Sequence, residues 1–358
     1  MLLSRATTTC ATAKKRIYPY FVTKKCLPST STHICRAKNK ISLFSPSKIN
    51  LFLRVTKRRT DGYHDLASLF HVIDLGDDME FELLPYSTHD ILECSDPTIP
   101  TDGRNLVIKA LDLFRRKTSL LMYFRVRLTK RVPHGAGLGG GSGNAATTLW
   151  AANKLTGEPA TDEELLEWSG EIGSDISFFF SEGAAFCTGR GEIVQSIPSP
   201  FVKSGSECAL DRNGAPPLLL VKPPIGLATP RIFKALDLEK RSKVDPQDLL
   251  DGFAAFGREY NVSSKKKKEE QSQTNLQGLL VNDLEQPAFD ILPELKDLKN
   301  RLINSESGFD GVVMTGSGST IVCVGGDAKA PTFLSKDEKY KDVFISKANL
   351  ITRKSGKW

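Results

Sequence analysis

The chain has 358 residues, 40% hydrophobic and 25% charged, which supports a sizeable buried core and excludes a disordered or fibrous protein. Its length suggests two domains, and no apolar run approaches the roughly 20 residues that cross a bilayer, so no membrane partner is expected. The net charge of +7 invites nucleic acid, but residues 1–40 hold nine Lys or Arg and no Asp or Glu. The remainder carries −2, so neither nucleic acid nor an acidic surface is expected as a partner.

The basic leader is rich in Ser and Thr, which is the composition of an organelle transit peptide, assigned to residues 1–41. The seven cysteines contain no C-x-x-C, and the five histidines form no H-x-x-x-H pair. Neither a disulfide framework nor a structural metal is expected.

Ordered sequence begins near Leu43. Ile49, Leu51, Leu53 and Val55 recur with period two, the mark of a half-buried strand whose other face carries Lys48, Asn50, Phe52 and Arg54. The Asp61-Gly62 step marks a turn, and an apolar run from Leu69 to Leu75 follows. Met122 to Val132 reads as a strand with alternating basic residues, and Asn144 to Leu155 as an Ala-rich helix. Thr161 and Glu164 form a capping box for a helix bearing Leu165, Trp168 and Ile172, which Gly173 stops just ahead of Ser174-Asp175. Turn-rich residues 203–217 mark a domain boundary. Beyond it come the apolar Leu218 to Val221, then a helix with Thr229 as N-cap and Pro230 at its first position. A Lys-rich polar insertion near 263–275 follows, and a Gly-rich turn from Met314 leads into a buried strand.

Between the second strand and its helix lies Pro133 to Asn144, PHGAGLGGGSGN, in which six of the last ten residues are glycine. Glycine lets backbone approach a ligand closely, successive N–H groups form an anion nest, and the following helix adds its positive dipole end. A Walker A loop is excluded because no Lys is present. Gly135, Gly137 and Gly140 formally satisfy G-x-G-x-x-G, but the acidic residue about 20 positions on, Asp162, lies in the capping box rather than at a strand end. The loop is read as a phosphate cradle formed by Pro133, Gly135, Gly137, Leu138, Gly139, Gly140, Gly141, Ser142 and Gly143.

Pro133, Gly137-Leu138-Gly139 and Ser142 resemble the second motif of the GHMP kinases. Ser45 to Leu53 looks like their first motif, and Thr315 to Thr320 like their third. Asp61-Gly62-Tyr63-His64, Gly173-Ser174-Asp175, Gly189 to Glu192 and Asn282 to Glu285 fall in the order of members that act on 4-diphosphocytidyl-2-C-methyl-D-erythritol. The resemblance covers nearly everything from Leu43 to about Gly325.

The resemblance implies an α+β fold of two domains, a ribosomal protein S5 domain 2-like half (42–212) that binds ATP and a ferredoxin-like half (213–358). It implies ATP-dependent phosphorylation of a tertiary alcohol on a cytidylyl substrate, with ATP and Mg²⁺ as cofactors, in a plastid. By position, Asp175 matches the catalytic carboxylate and Lys48 the lysine beside it. Asn50, Tyr63, His64 and Thr229 match substrate-binding residues. Where the family usually has a second Ser, this chain has Gly143, and no carboxylate matches a Mg²⁺ ligand, which leaves Ser142 as the candidate. A monomer or weak homodimer is expected. A mevalonate-type kinase and a non-catalytic sensor on the same fold are the alternatives; the Asp61 to His64 segment argues against the first, and the presence of Lys48 and Asp175 against the second.

Overall fold

The computed structural model describes residues 39–201, 215–263, 275–353 and Trp358. The basic leader up to residue 38 lies outside the described residues, as do most of the turn-rich boundary and of the polar insertion. Two sheets organise the rest. A hairpin of two long strands, β1 (Lys40–Arg58) and β2 (His64–Leu84), turns at Asp61-Gly62, where the Asp61 carboxylate accepts the Tyr63 N–H at 3.0 Å. One edge of β2 carries β1 along its whole length. The other edge is shared by β5 (Ala184–Gly189) near its start and β4 (Tyr123–Thr129) near its end. β3 (Ile91–Cys94) and β6 (Ile193–Ser196) complete this six-stranded sheet. β4 alternates buried and half-buried side chains and runs antiparallel to β2, so it is no buried parallel strand of the dinucleotide-binding kind.

Helices α1 (Leu106–Thr118), α2 (Gly140–Leu155) and α3 (Asp162–Ser169) accompany this sheet. The second sheet has the order β10-β7-β9-β8, with β7 at Leu218–Lys222, β8 at Phe309–Met314, β9 at Ile321–Gly325 and β10 at Phe344–Ala348. With it go α4 (Thr229–Ala235), α5 (Pro246–Ser263), α6 (Leu276–Leu279), α7 (Glu285–Ile291), α8 (Pro293–Ile303) and α9 (Phe333–Lys336). The mixture is the α+β class expected.

The half-buried reading of β1 is corrected, because Lys48 to Val55 is buried on both faces. Ile49, Leu51 and Phe52 join one core with Leu218, Leu220 and Val322, while Leu53 and Val55 join another with Leu219, Val221 and Ile321. A bulge between Asn50 and Phe52 breaks the strict alternation. The strand is sandwiched because the second half docks on it: Leu53 N–H donates to Val281 O at 2.7 Å, and Asp283 N–H to Leu53 O at 2.9 Å. Asp283 also accepts the Arg54 guanidinium at 2.9 Å and the Val55 N–H at 2.7 Å. Each apolar side chain so enclosed contributes about 1.5–3 kcal/mol. The chain end ties back as well, with Ile351 N–H on Val72 O at 3.1 Å and Trp358 Nε1 on Phe44 O at 3.3 Å.

Three local expectations change. The helix placed at Asn144 begins four residues earlier, at Gly140. The capping box is present, with Glu164 N–H on Thr161 Oγ1 at 3.2 Å and Thr161 N–H on Glu164 Oε2 at 2.8 Å, but α3 ends at Ser169 with Gly170 as its cap rather than at Gly173. Thr229 is not the N-cap of α4; Ala228 is, and the Thr229 hydroxyl bonds to Ser317 Oγ at 2.7 Å instead.

His71 on β2 is fully enclosed. Its Nδ1 faces Val72 O at 2.9 Å and so carries the proton, leaving Nε2 to accept from the Ser199 hydroxyl at 2.7 Å. Burial pushes its pKa down from 6.5 to about 4, against the opposing pull of the Val72 bond. The unfolded chain therefore takes up a proton that the fold refuses, and stability falls as pH drops through that window. The loss between pH 6.5 and 4 is expected to approach about 3 kcal/mol. Melting temperatures against pH check it: His71→Gln should show a shallower acid slope than the parent.

Candidate active site

The glycine loop lies where the two sheets meet. Gly137 and Gly139 have φ of +74° and +65°, and both positions are crowded. A Cβ on Gly137 would stand 2.4 Å from Thr315 O, and one on Gly139 would stand 3.0 Å from the Lys48 side chain. Glycine is required at both on conformational and steric grounds. Gly139 also caps α2, a helix of 16 residues whose first turn is Gly140, Gly141, Ser142 and Gly143. No side chain bonds to that first turn from the cap; the Gly143 N–H closes the first helical bond onto Gly139 O at 2.9 Å, and the N–H groups of Gly140, Gly141 and Ser142, which have no acceptor within the helix, remain available for an anion.

Lys48 connects the loop to Asp175. Its backbone N–H donates to Leu138 O at 2.9 Å, and its side chain, only 3% exposed, packs beneath Gly139. The ammonium donates to Asn50 Oδ1 at 2.8 Å, pairs with Asp175 Oδ2 at 3.4 Å, and sits 4.6 Å from the centre of the Phe70 ring. Asn50 is locked in turn. Its Nδ2 donates to Ser68 Oγ at 2.8 Å, its N–H to Thr315 Oγ1 at 2.8 Å, and its Oδ1 accepts from Thr315 Oγ1 at 3.2 Å. The turn holding Thr315 is braced by Asn282, whose Nδ2 donates to Met314 O at 2.7 Å and Gly316 O at 2.8 Å. Asp175, 37% exposed at its side chain, presents its carboxylate to the cavity.

An aromatic cluster stands on the other side of Asp175, beyond the turn at Arg190 and Gly191. His64 stacks on Phe233 with ring centres 5.4 Å apart, and the Arg190 guanidinium lies 5.3 Å from the centre of the Tyr63 ring, which is 58% exposed. Burial first, and the Arg58 charge second, lower the pKa of His64 from its ordinary 6.5, so the ring is neutral at pH 7. One cavity of about 1000 Å³ is lined by Lys48, Asn50, Tyr63, His64, Asp175 and Thr229 together with Pro133, Gly135 and Gly137 to Ser142. Of the residues chosen from the sequence, Gly143 alone does not line it. It is buried, and a Cβ there would meet Pro46 O at 2.2 Å, so no side chain fits.

Sequence reasoning missed four contributors. Phe70 lies in the apolar run on β2, where nothing distinguishes it from a core residue, and Ser68 stands just before that run with no local signal of its own. Phe233 sits four residues after Thr229, one helical turn on, a spacing that points both side chains the same way. Lys130, which also lines the cavity, stands three residues before Pro133. Among the described residues no group of three or more His, Cys, Asp or Glu converges to hold a metal ion. A divalent ion would therefore depend on phosphate and water oxygens, as Mg²⁺ commonly does, with the Ser142 hydroxyl at the helix start as a protein donor.

Comparison with known proteins agrees with this geometry. Residues 105–183 match the GHMP kinases N terminal domain. The chain is 52% identical over 321 residues to the 4-diphosphocytidyl-2-C-methyl-D-erythritol kinase, chloroplastic/chromoplastic, of Solanum lycopersicum, covering 89% of this chain and 73% of that protein. It is 48% identical over 285 residues to the 4-diphosphocytidyl-2-C-methyl-D-erythritol kinase of Protochlamydia amoebophila (strain UWE25), covering 80% and 84%. A solved 4-(cytidine 5'-diphospho)-2C-methyl-D-erythritol kinase superposes with a TM-score of 0.61 at 27% identity, over 86% of this chain and 99% of its own. A homoserine kinase from Cytophaga hutchinsonii, 15% identical with a TM-score of 0.60 over 91% and 99%, shares the fold. By its sequence and its architecture alike, the chain belongs to the 4-diphosphocytidyl-2-C-methyl-D-erythritol kinase family of the GHMP kinases.

Proposed function

We propose that the chain transfers the γ-phosphoryl group of ATP to the C2 hydroxyl of 4-diphosphocytidyl-2-C-methyl-D-erythritol, a step of non-mevalonate isoprenoid precursor biosynthesis. The observation that carries the proposal is the place of the Lys48–Asp175 pair. Lys48 packs under the glycine loop, while Asp175 faces the turn at Gly191, next to Arg190 and Tyr63. Donor site, proton acceptor and acceptor site thus follow one another along one cavity.

The loop N–H groups and the N-terminus of α2 hold the nucleotide phosphates, which is where the family's use of ATP is accommodated. Asp175 accepts the proton of the attacking hydroxyl as the new O–P bond forms and the bond to the ADP leaving oxygen breaks. Lys48 orients that carboxylate through its ion pair and sets positive charge beside the transferred group. Asn50 keeps the ammonium on station. Mg²⁺ arriving with the nucleotide would screen phosphate charge, and Ser142 is the hydroxyl available to it.

On the acceptor side Tyr63, His64 and Phe233 present ring faces and an imidazole edge suited to a pyrimidine, while Thr229 is held at the same wall by Ser317. Residues 42–212 form the nucleotide half and 213–358 the second half. The chain is read as a monomer or weak homodimer. The acid-free, hydroxylated leader, together with plant relatives named chloroplastic, supports action in a plastid.

A coupled ADP-release assay comparing the cytidylyl substrate with mevalonate and homoserine tests the reading; turnover of mevalonate in its place would refute it. Asp175→Asn should lower kcat by about 10²–10⁴-fold while KM for ATP changes little. Near-normal turnover in the folded variant would remove Asp175 from the base role. Lys48→Ala should lower kcat similarly. Tyr63→Ala and His64→Ala should each raise KM for the cytidylyl substrate by about tenfold, consistent with the loss of one stacked or hydrogen-bonded contact. Because burial first and the Arg58 charge second lower the His64 pKa, that KM should rise as pH falls, with the midpoint of the rise below the ordinary 6.5. In His64→Gln the rise should vanish.

A further inference from the structure

Asp77, on β2, is wholly buried and takes no part in the chemistry above. Its two oxygens are nonetheless fully engaged. Oδ1 accepts the backbone N–H of Arg131 at 2.7 Å and of Val132 at 2.9 Å. Oδ2 accepts the Asn144 Nδ2 at 3.0 Å and pairs with the Lys130 ammonium. Lys130, Arg131 and Val132 lead directly into the glycine loop, and Asn144 lies in the helix that leaves it. One carboxylate therefore grips the loop at both ends. Asn144 extends the grip to β1, because its Nδ2 also donates to Ser45 Oγ at 2.9 Å, three residues before Lys48.

We infer that Asp77 is a positioning residue for the nucleotide phosphates, setting the separation between the end of β4 and the N-terminus of α2. The inference rests on the reading of the loop as the phosphate site. A nest of backbone dipoles stabilises an anion only when its N–H groups already converge, since reorganising them would consume the gain. Nothing inside a glycine-rich loop enforces such convergence, so the constraint must come from outside it. A buried carboxylate with four donors supplies that constraint, and an apolar side chain of the same volume would not.

Asp77→Asn tests this with little change of shape. The amide oxygen can still accept from Arg131 and Val132, but the amide nitrogen faces Asn144 and Lys130, donor against donor. KM for ATP should rise about tenfold, the factor for one lost charge-assisted hydrogen bond, while KM for the cytidylyl substrate stays within about twofold. The exchange Asp77→Asn with Asn144→Asp restores one donor, one acceptor and a carboxylate for Lys130, and should recover most of the affinity for ATP. An unchanged KM for ATP in folded Asp77→Asn overturns the inference, and so does an exchange variant no better than the single one. If Asp77→Asn does not fold, Asn144→Ala cuts only the helix side of the grip; a several-fold rise in KM for ATP supports the inference and no change overturns it. Gly141→Asp separates the two readings, since its Cβ would meet only Leu106 at 3.6 Å while its charge would face the phosphates. Unchanged ATP binding there sinks the loop reading itself. Weaker binding in Gly141→Asp, with none in the Asp77 and Asn144 variants, sinks only the role of Asp77.

Discussion

A lysine ammonium held out of water is the constraint on which the site depends. Desolvating a charge costs several kcal/mol unless partners replace the water, and Lys48 is exposed by only 3%. Its partners come from three directions: Asn50 on the same strand, Asp175 from the turn after α3, and the face of Phe70 on β2. Each partner must be delivered by a separate piece of the fold. The β1–β2 hairpin brings Phe70, the docking of the second sheet brings the Thr315 that fixes Asn50, and α3 with its capping box leads the chain to Asp175. Satisfying one buried charge thus requires the whole arrangement of the catalytic cleft.

The same burial gives Lys48 two roles that a solvent-exposed lysine could not combine. Its backbone and stem are structural, bonded to Leu138 and packed under Gly139, whereas its head pairs with Asp175, the carboxylate that lines the cavity. A solvated ammonium would reorient freely, and the surrounding water would screen its field. Held between an amide and a carboxylate, it is a fixed charge, and in the role proposed for it such a charge would act at no cost in reorganisation.

Much of this was legible in the sequence, and the boundary has a physical basis. Periodicity located β1, the capping box located α3, and glycine density located the loop that lines the cavity, because each is a local consequence of backbone geometry. Lys48 and Asp175 became visible through the order of family motifs rather than through spacing. What was not legible depends on contacts between distant residues. That the polar face of β1 is buried follows from a second sheet lying on it, and the Asn50–Thr315 bond joins residues 265 positions apart. The role of Asn282 as a brace for the Thr315 turn is hidden for the same reason. Thr229 read as a cap on local rules, and lost that role because a tertiary partner, Ser317, claimed its hydroxyl.

Gly143 shows how a local departure follows from a tertiary demand. The family pattern leads one to expect a hydroxyl there, yet in this chain α2 approaches β1 so closely that a Cβ would meet the Pro46 carbonyl at 2.2 Å. That approach brings the first turn of α2 down onto the strand that carries Lys48. Only Ser142 is then left to offer a side-chain oxygen in the first turn, so the proposed phosphate site would rest mainly on backbone N–H groups and the helix dipole. Backbone dipoles cannot adjust by rotating a χ angle as a serine hydroxyl can. A site that relies on them needs its loop held rigidly: the Lys48 N–H holds its middle at Leu138 O, and the buried carboxylate of Asp77 holds its two ends.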